Sequence, residues 1–365
     1  MSRNHPITKQ DVVSWIRQVE DRDDVPEVWK MFKELGPDDG EIVSVLVERM
    51  RDPNSSFRWL VPDLLGQIGA ASGQALPELV EMIRSDDEWN RCLAIIAIRK
   101  IGLISPEVNE ALRAIVPNGS DRDRVLAAGA LLSLHPHESK YLDILRQARK
   151  CQNANVRYDA ALIAAELIIC IPEAASVAIL FLDDRDYENA EYTASALAKY
   201  DPRLVIPFLI RPLQQQISDA RFGLLSAIHE FGTRANVLSA ELVEAMLESN
   251  IFDDISLNVR RIAANVAQSV PLIYPEVIKK LRFMLSDPSD WVAEQAAKAL
   301  LSFGEIPNDA RREAEDALAF IESPPERRGF PLSISEAELE SLSAQDLMPD
   351  PDSQLRRIRK MSDRE

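Results

Sequence analysis

Four arginines, Arg58, Arg91, Arg124 and Arg157, stand 33 residues apart three times in succession. The chain repeats itself around them. Residues 52–69, "DPNSSFRWLVPDLLGQIG", and residues 86–102, "DDEWNRCLAIIAIRKIG", both pass from a polar turn through arginine and an apolar run to Ile-Gly. Such a period leaves few options, because each unit is too small to bury its own apolar face and must stack on its neighbours. If each arginine is the anchor of its copy, later copies drift. Glu191 holds the place in "ENAEYTASALAKYDP", followed by Arg221, Arg260 and Ala293. Nine copies fit between about residues 7 and 307, and "DARREAEDALAFIES" closes the array as a further helix.

Each copy reads as two helices. In "EIVSVLVERM" the apolar Ile42, Val45, Leu46 and Met50 fall at helical spacing. The first helix opens with Pro-Glu at Pro77, Pro106, Pro172 and Pro275. Proline lacks only an N–H that has no partner in the first turn, and glutamate there meets the positive end of the helix dipole. The second helix ends eleven residues after the anchor at Gly36, Gly69 or Gly102, where a left-handed cap is expected. Pro62 falls inside the second helix of its copy and is expected to kink it. Only 12 glycines in 365 residues, with many alanines and leucines, favour helix over sheet.

The pattern of polar turn, Val/Asn-Arg, paired alanines, leucine and Ile-Gly resembles HEAT repeats. It is most similar to the short bacterial kind also found in phycobilin lyase-like proteins. "NVRYDAALIAAEL", "NVRRIAANVA", "DPSDWVAEQAAKALLSFG" and the two stretches above carry the resemblance. The period equals that of ankyrin repeats and is near that of tetratricopeptide repeats. Neither the Thr-Pro-Leu-His turn of the one nor the Trp, Leu-Gly, Tyr pattern of the other is present. The resemblance implies an all-α fold, an α-solenoid of stacked antiparallel helix pairs over residues 7–323, with another helical-pair solenoid as second choice. Residues 324–365 differ in character. "SPPERRGFPLS" breaks the array, an acidic run over 336–352 follows, and then a basic one, "QLRRIRKMSDR". The expectation is a polar tail, disordered or strapped to the solenoid, or a short motif that docks on another protein.

The net charge of −17 repels phosphate backbones on average, so nucleic acid is not the expected partner. Cys92, Cys151 and Cys170 form no CxxC pair and read as buried thiols rather than a disulfide or zinc framework. "MSRNHPITKQ" holds no apolar signal core. The most apolar helix, "DAALIAAELIICIP", contains Asp159 and Glu166 and is too short to span a bilayer. A cytoplasmic protein without a membrane span is expected.

The resemblance also bears on the anchors. In HEAT-like repeats an acidic residue six before the anchor pairs with it and staples neighbouring layers. Asp52, Asp254 and Asp287 occupy that place, with Asn118 a weaker substitute. The arginines are therefore read as structural rather than as an anion-binding ladder. One HEAT-like enzyme class, deoxyhypusine hydroxylase, binds two irons through four His-Glu pairs in equivalent positions. Here His137-Glu138 and His229-Glu230 are out of register and lie three copies apart, so no metal and no other cofactor is expected. A HEAT-like DNA glycosylase needs a basic face. The positions that line that face mix Asp63, Asp159, Glu166, Glu230 and Glu294 with Arg99, Lys100, Lys199, Arg261 and Lys298, which makes no phosphate track. Neither a Gly-rich phosphate loop nor a nucleophile elbow occurs in the sequence.

The residue just after the anchor is Trp59, Cys92, Val125, Tyr158, Tyr192, Phe222, Arg261 and Glu294 in successive copies. Aromatics thus hold this place in three adjacent copies. Two readings are open: packing between neighbouring second helices, or a binding stripe of Tyr158, Tyr192 and Phe222, with Trp59 in the same place earlier in the array. Asp159 and Glu230 flank the stripe and would select a partner carrying Lys or Arg. The expected function is a non-catalytic scaffold that holds a partner protein or peptide on its concave face. The alternative is a HEAT-like enzyme of the bilin lyase or metal hydroxylase kind.

Overall fold

A computed structural model describes residues 7–21, 26–52, 54–214 and 220–323, and no strand occurs among them. The chain divides into two units, Met1–Leu209 and Ile210–Glu365. The polar tail expected over 324–365 lies outside the described residues.

The first unit opens with α1 (Lys9–Asp21) and α2 (Pro26–Lys33). Helix pairs follow: α3 (Val43–Arg51) with α4 (Val61–Ile68), α5 (Leu76–Ile83) with α6 (Glu88–Ile101), and α7 (Pro106–Asn118) with α8 (Asp121–Leu134). Next come α9 (Leu142–Ala148) with α10 (Ala154–Glu166), then the short α11 (Ala175–Ala178) with α12 (Tyr187–Leu197). The unit boundary falls within α13 (Pro202–Gln214). The second helices α4, α6, α8, α10 and α12 pack side by side in that order, and the first helices pack α3 on α5, α5 on α7 and α9 on α11. The second unit repeats the scheme with α14 (Arg221–Phe231), α15 (Ser239–Glu248), α16 (Leu257–Ser269), α17 (Pro275–Met284), α18 (Asp290–Ser302) and α19 (Asn308–Glu322). There α14, α16 and α18 lie side by side, and α19 closes on α17 and α18.

Side-chain caps start the second helices of the first unit from α6 onward; α4, preceded by Leu60, has none. Asp87, Ser120, Asn153 and Asp186, again 33 residues apart, each accept a backbone N–H from the first turn they precede. The anchor lies four residues after its cap, so the sixth copy's anchor place belongs to Ala190, not Glu191. Small residues then let the second helices approach. Ala127, Ala128, Ala160, Ala161, Ala164 and Ala165 are fully buried, and a Cβ on Gly129 would stand 2.6 Å from Ile163 Cγ2.

Two local expectations are corrected. Pro62 kinks nothing: α4 starts at Val61 and holds Pro62 in its first turn, while the residues before it form a turn. Proline cannot supply a mid-helix N–H, so the helix begins where none is needed. Of the terminal glycines only Gly102 takes the standard left-handed cap, at φ 73° and ψ 12°. Gly69 and Gly232 have positive φ with extended ψ and lead into 3-10 turns, and Gly36 is extended at φ −160°. Proline and glutamate do open α5, α7 and α17 as expected, and a 3-10 turn at Pro172. No helix among the described residues is long and apolar enough to cross a membrane.

Candidate functional site

Four of the anchor arginines, Arg91, Arg157, Arg221 and Arg260, stitch one copy to the next. Arg157 gives two hydrogen bonds to Asp184, Nε to Oδ2 at 2.7 Å and Nη2 to Oδ1 at 2.9 Å. Its Nη1 donates to the carbonyls of Cys151 and Gln152 in its own turn. In the second unit Arg260 does the same with Asp287, at 2.6 and 2.9 Å, and with the carbonyls of Asp254 and Ile255. Arg221 pairs with Asp254. The acidic residue six before an anchor therefore serves the preceding copy's arginine. To its own anchor Asp254 offers only its backbone carbonyl. These aspartates also turn the chain: Asp184, Asp254 and Asp287 each accept the N–H two residues on. Asp184 is six before Ala190, the sixth copy's anchor place, and seven before Glu191. Arg91 finds no acid at Asn118, whose side chain turns to Ala114, and bonds Asp123 instead at 3.0 and 2.8 Å. Arg124 has Cys151 at that place; its Nε donates to the Val116 carbonyl at 3.0 Å, and its carboxylate contact is a long one, 3.8 Å to Asp121. The hydrogen bond to Asp184 is the main force raising the Arg157 pKa, which fits a permanent charge with a structural task.

On the exposed side of the second helices the charges largely meet one another. Lys100 reaches Asp63 at 2.8 Å, Arg122 reaches Asp159 at 2.7 Å, and Arg99 pairs with Glu166. Asp159, only 14% exposed, is thus engaged within the chain.

Tyr158 on α10 and Tyr192 on α12 meet edge to face, with centroids 5.6 Å apart and planes at 82°. Tyr158 is half-buried; burial first, then the neighbouring Tyr192, raises its pKa. Tyr192 is 54% exposed. The cap register places Tyr192 level with Asp159 rather than with Tyr158, yet the rings still meet. Small side chains just after the anchor, Cys92 and Val125, are buried at 2% each. The position is a seam between second helices, and a tyrosine there spills onto the surface. Trp59 is exposed in the turn before α4. Phe222 is half-buried and Glu230 exposed, both on α14 of the second unit. His229 bonds Ser269 Oγ through Nδ1 at 3.0 Å. Of the cysteines only Cys92 is buried; Cys170 is exposed, because its turn faces water.

Residues 43–134, which span α3 to α8, match the family model for HEAT repeats. In structure the chain is similar to Kap121p bound to Nup53p, with a TM-score of 0.51 and 16% identity over 78% of this chain and 36% of that one. It is likewise similar to Kap121p bound to Pho4p, with a TM-score of 0.51 and 15% identity over 88% of this chain and 42% of that one. The chain therefore spans less than half the length of these structures. No curated protein matches it. The fold class is the HEAT-like α-solenoid.

Proposed function

We propose that this chain is a non-catalytic protein-interaction scaffold, with the exposed side of α10 and α12 as a docking surface for a protein or peptide. The observation that carries the reading is the Tyr158–Tyr192 pair, two rings braced against each other with one half-exposed. Tyrosines braced in this way bring large contact area and a polar tip at little entropic cost. The two similar Kap121p structures each hold a protein partner by their own description, which supports the same use of the fold here. Trp59 is proposed as a further contact in the same unit, and Phe222 and Glu230 as contacts of the second unit taken by itself. A basic partner remains the expectation, with the acidic role moved: Asp159 is engaged by Arg122, whereas Glu188 and Glu191 are exposed on α12 beside Tyr192. The test is affinity capture with the full chain, followed by Tyr158→Ala and Tyr192→Ala. A specific partner should be lost with both variants while their unfolding midpoints stay well above the assay temperature. Retention of the same partners by both would sink the assignment.

A further inference from the structure

The turn after α8 reads His135-Pro136-His137-Glu138. It gathers three metal-ligating side chains whose ligand atoms all lie within 4.8 Å of one another, the one such group among the described residues. His135 is the C-cap of α8. Pro136 restricts the backbone between the two imidazoles, so both are presented from a stiff turn. The rings meet edge to face at 5.9 Å between centroids. On the other side, His135 Nε2 lies 2.7 Å from Asn109 Oδ1 on α7. With Nε2–H donating to that oxygen, Nδ1 keeps its lone pair, which is the outer hydrogen bond that orients a ligating histidine. Glu138 accepts from both Nη atoms of Arg113, and Lys140 Nζ stands 3.3 Å from its Oε2.

We propose that His135, His137 and Glu138 bind one divalent transition-metal ion of the Zn²⁺ class, leaving further coordination positions open. Two imidazole nitrogens and a carboxylate suit such borderline ions, whereas Ca²⁺ and Mg²⁺ call for oxygen donors throughout. Tetrahedral Zn²⁺ sets its ligand atoms about 3.4 Å apart, so the group must close by up to about 1.4 Å. His137 is exposed and free to turn inward. Lys140, whose side chain is 64% exposed, and Arg113 Nη1 give up their long contacts with Oε2, while Arg113 Nη2 keeps hold of Oε1. The ion fastens the end of α8 to the 3-10 turn Ser139–Tyr141. Pairs from different copies are not needed: the third ligand stands two residues before the His137-Glu138 pair.

The test uses untagged full-length protein titrated with Zn²⁺ and with Co²⁺. One ion should bind per chain, Co²⁺ should show the absorption of a low-coordinate site, and Zn²⁺ should raise Tm in proportion to the logarithm of its excess over Kd. His137→Ala, at an exposed position, and Glu138→Gln should each weaken binding at least about 10-fold, and Asn109→Ala by about 10-fold. His229→Ala should bind like the parent. No saturable binding below about 1 mM, or binding that survives His137→Ala or Glu138→Gln, overturns the site.

Discussion

Arg157 and Asp184 stand 27 residues apart in sequence and face each other through two parallel hydrogen bonds, with side chains only 3% and 1% exposed. Removing one member of a buried pair strands the other charge, which typically costs about 3–5 kcal/mol. Arg157→Ala should therefore lower the urea midpoint most among the anchors. Arg91, 20% exposed, should cost on the order of 1–3 kcal/mol. Arg124, 39% exposed with a long contact to Asp121, should cost no more than about 1 kcal/mol from that pair. Equal losses for all three would show that the aspartate partner is not what matters.

Gly102 and Gly129 should resist substitution for different reasons. Gly102 needs only its left-handed backbone, since a Cβ there meets nothing within 4 Å. Gly102→Ala should cost about 1–2 kcal/mol, and Gly102→Asn less. Gly129→Ala drives a methyl into Ile163, an overpacking cost of about 1–3 kcal/mol. Ile163→Ala should make Gly129→Ala less harmful than it is in the parent. Additivity of those two changes would contradict the close approach of α8 and α10.

Burial pushes the Cys92 thiol from 9.0 up to about 12. The folded state then keeps a proton that the unfolded state has lost, so stability should fall as pH rises from about 9 to 12. Cys92→Ala should remove that share of the alkaline decline. Under native conditions an alkylating reagent should label the exposed Cys170 first and Cys92 only on unfolding. Early labelling of Cys92, read by peptide mass spectrometry, would contradict its burial.

The helix pairs were legible because period, alanine pairs and Pro-Glu openings are local signals. The caps Asp87, Ser120, Asn153 and Asp186 stand at the same 33-residue spacing as the anchors, but one polar residue in a polar turn does not stand out until the helix start is known. What could not be read was which copy an aspartate serves. Asp287 is closer in sequence to the Ala293 place than to Arg260, but stacking puts it beside the preceding arginine. The charge of the face was misread in the same way. Asp159 reads as a free acid beside Tyr158, yet Arg122, from the adjacent helix, neutralises it. His135 stands out less in the sequence than the His137-Glu138 pair, because it lies two residues before that pair and only the turn brings the three side chains together.

The tyrosine pair allows a stability test that needs no partner. Tyr158 is half-buried at the seam and Tyr192 rests on it from the surface. Tyr192→Ala alone removes mostly exposed area, so its cost should be small apart from the ring contact. Tyr158→Ala should cost more, because it also opens the seam between α10 and α12. An edge-to-face pair adds about 0.5–1.5 kcal/mol beyond area burial. The double variant should therefore be less destabilised than the sum of the singles by about that amount. Urea unfolding of all four proteins at one pH measures the coupling. A value indistinguishable from zero would mean that the rings do not hold each other in solution. A docking surface that relies on their being held in place would then lose its physical basis.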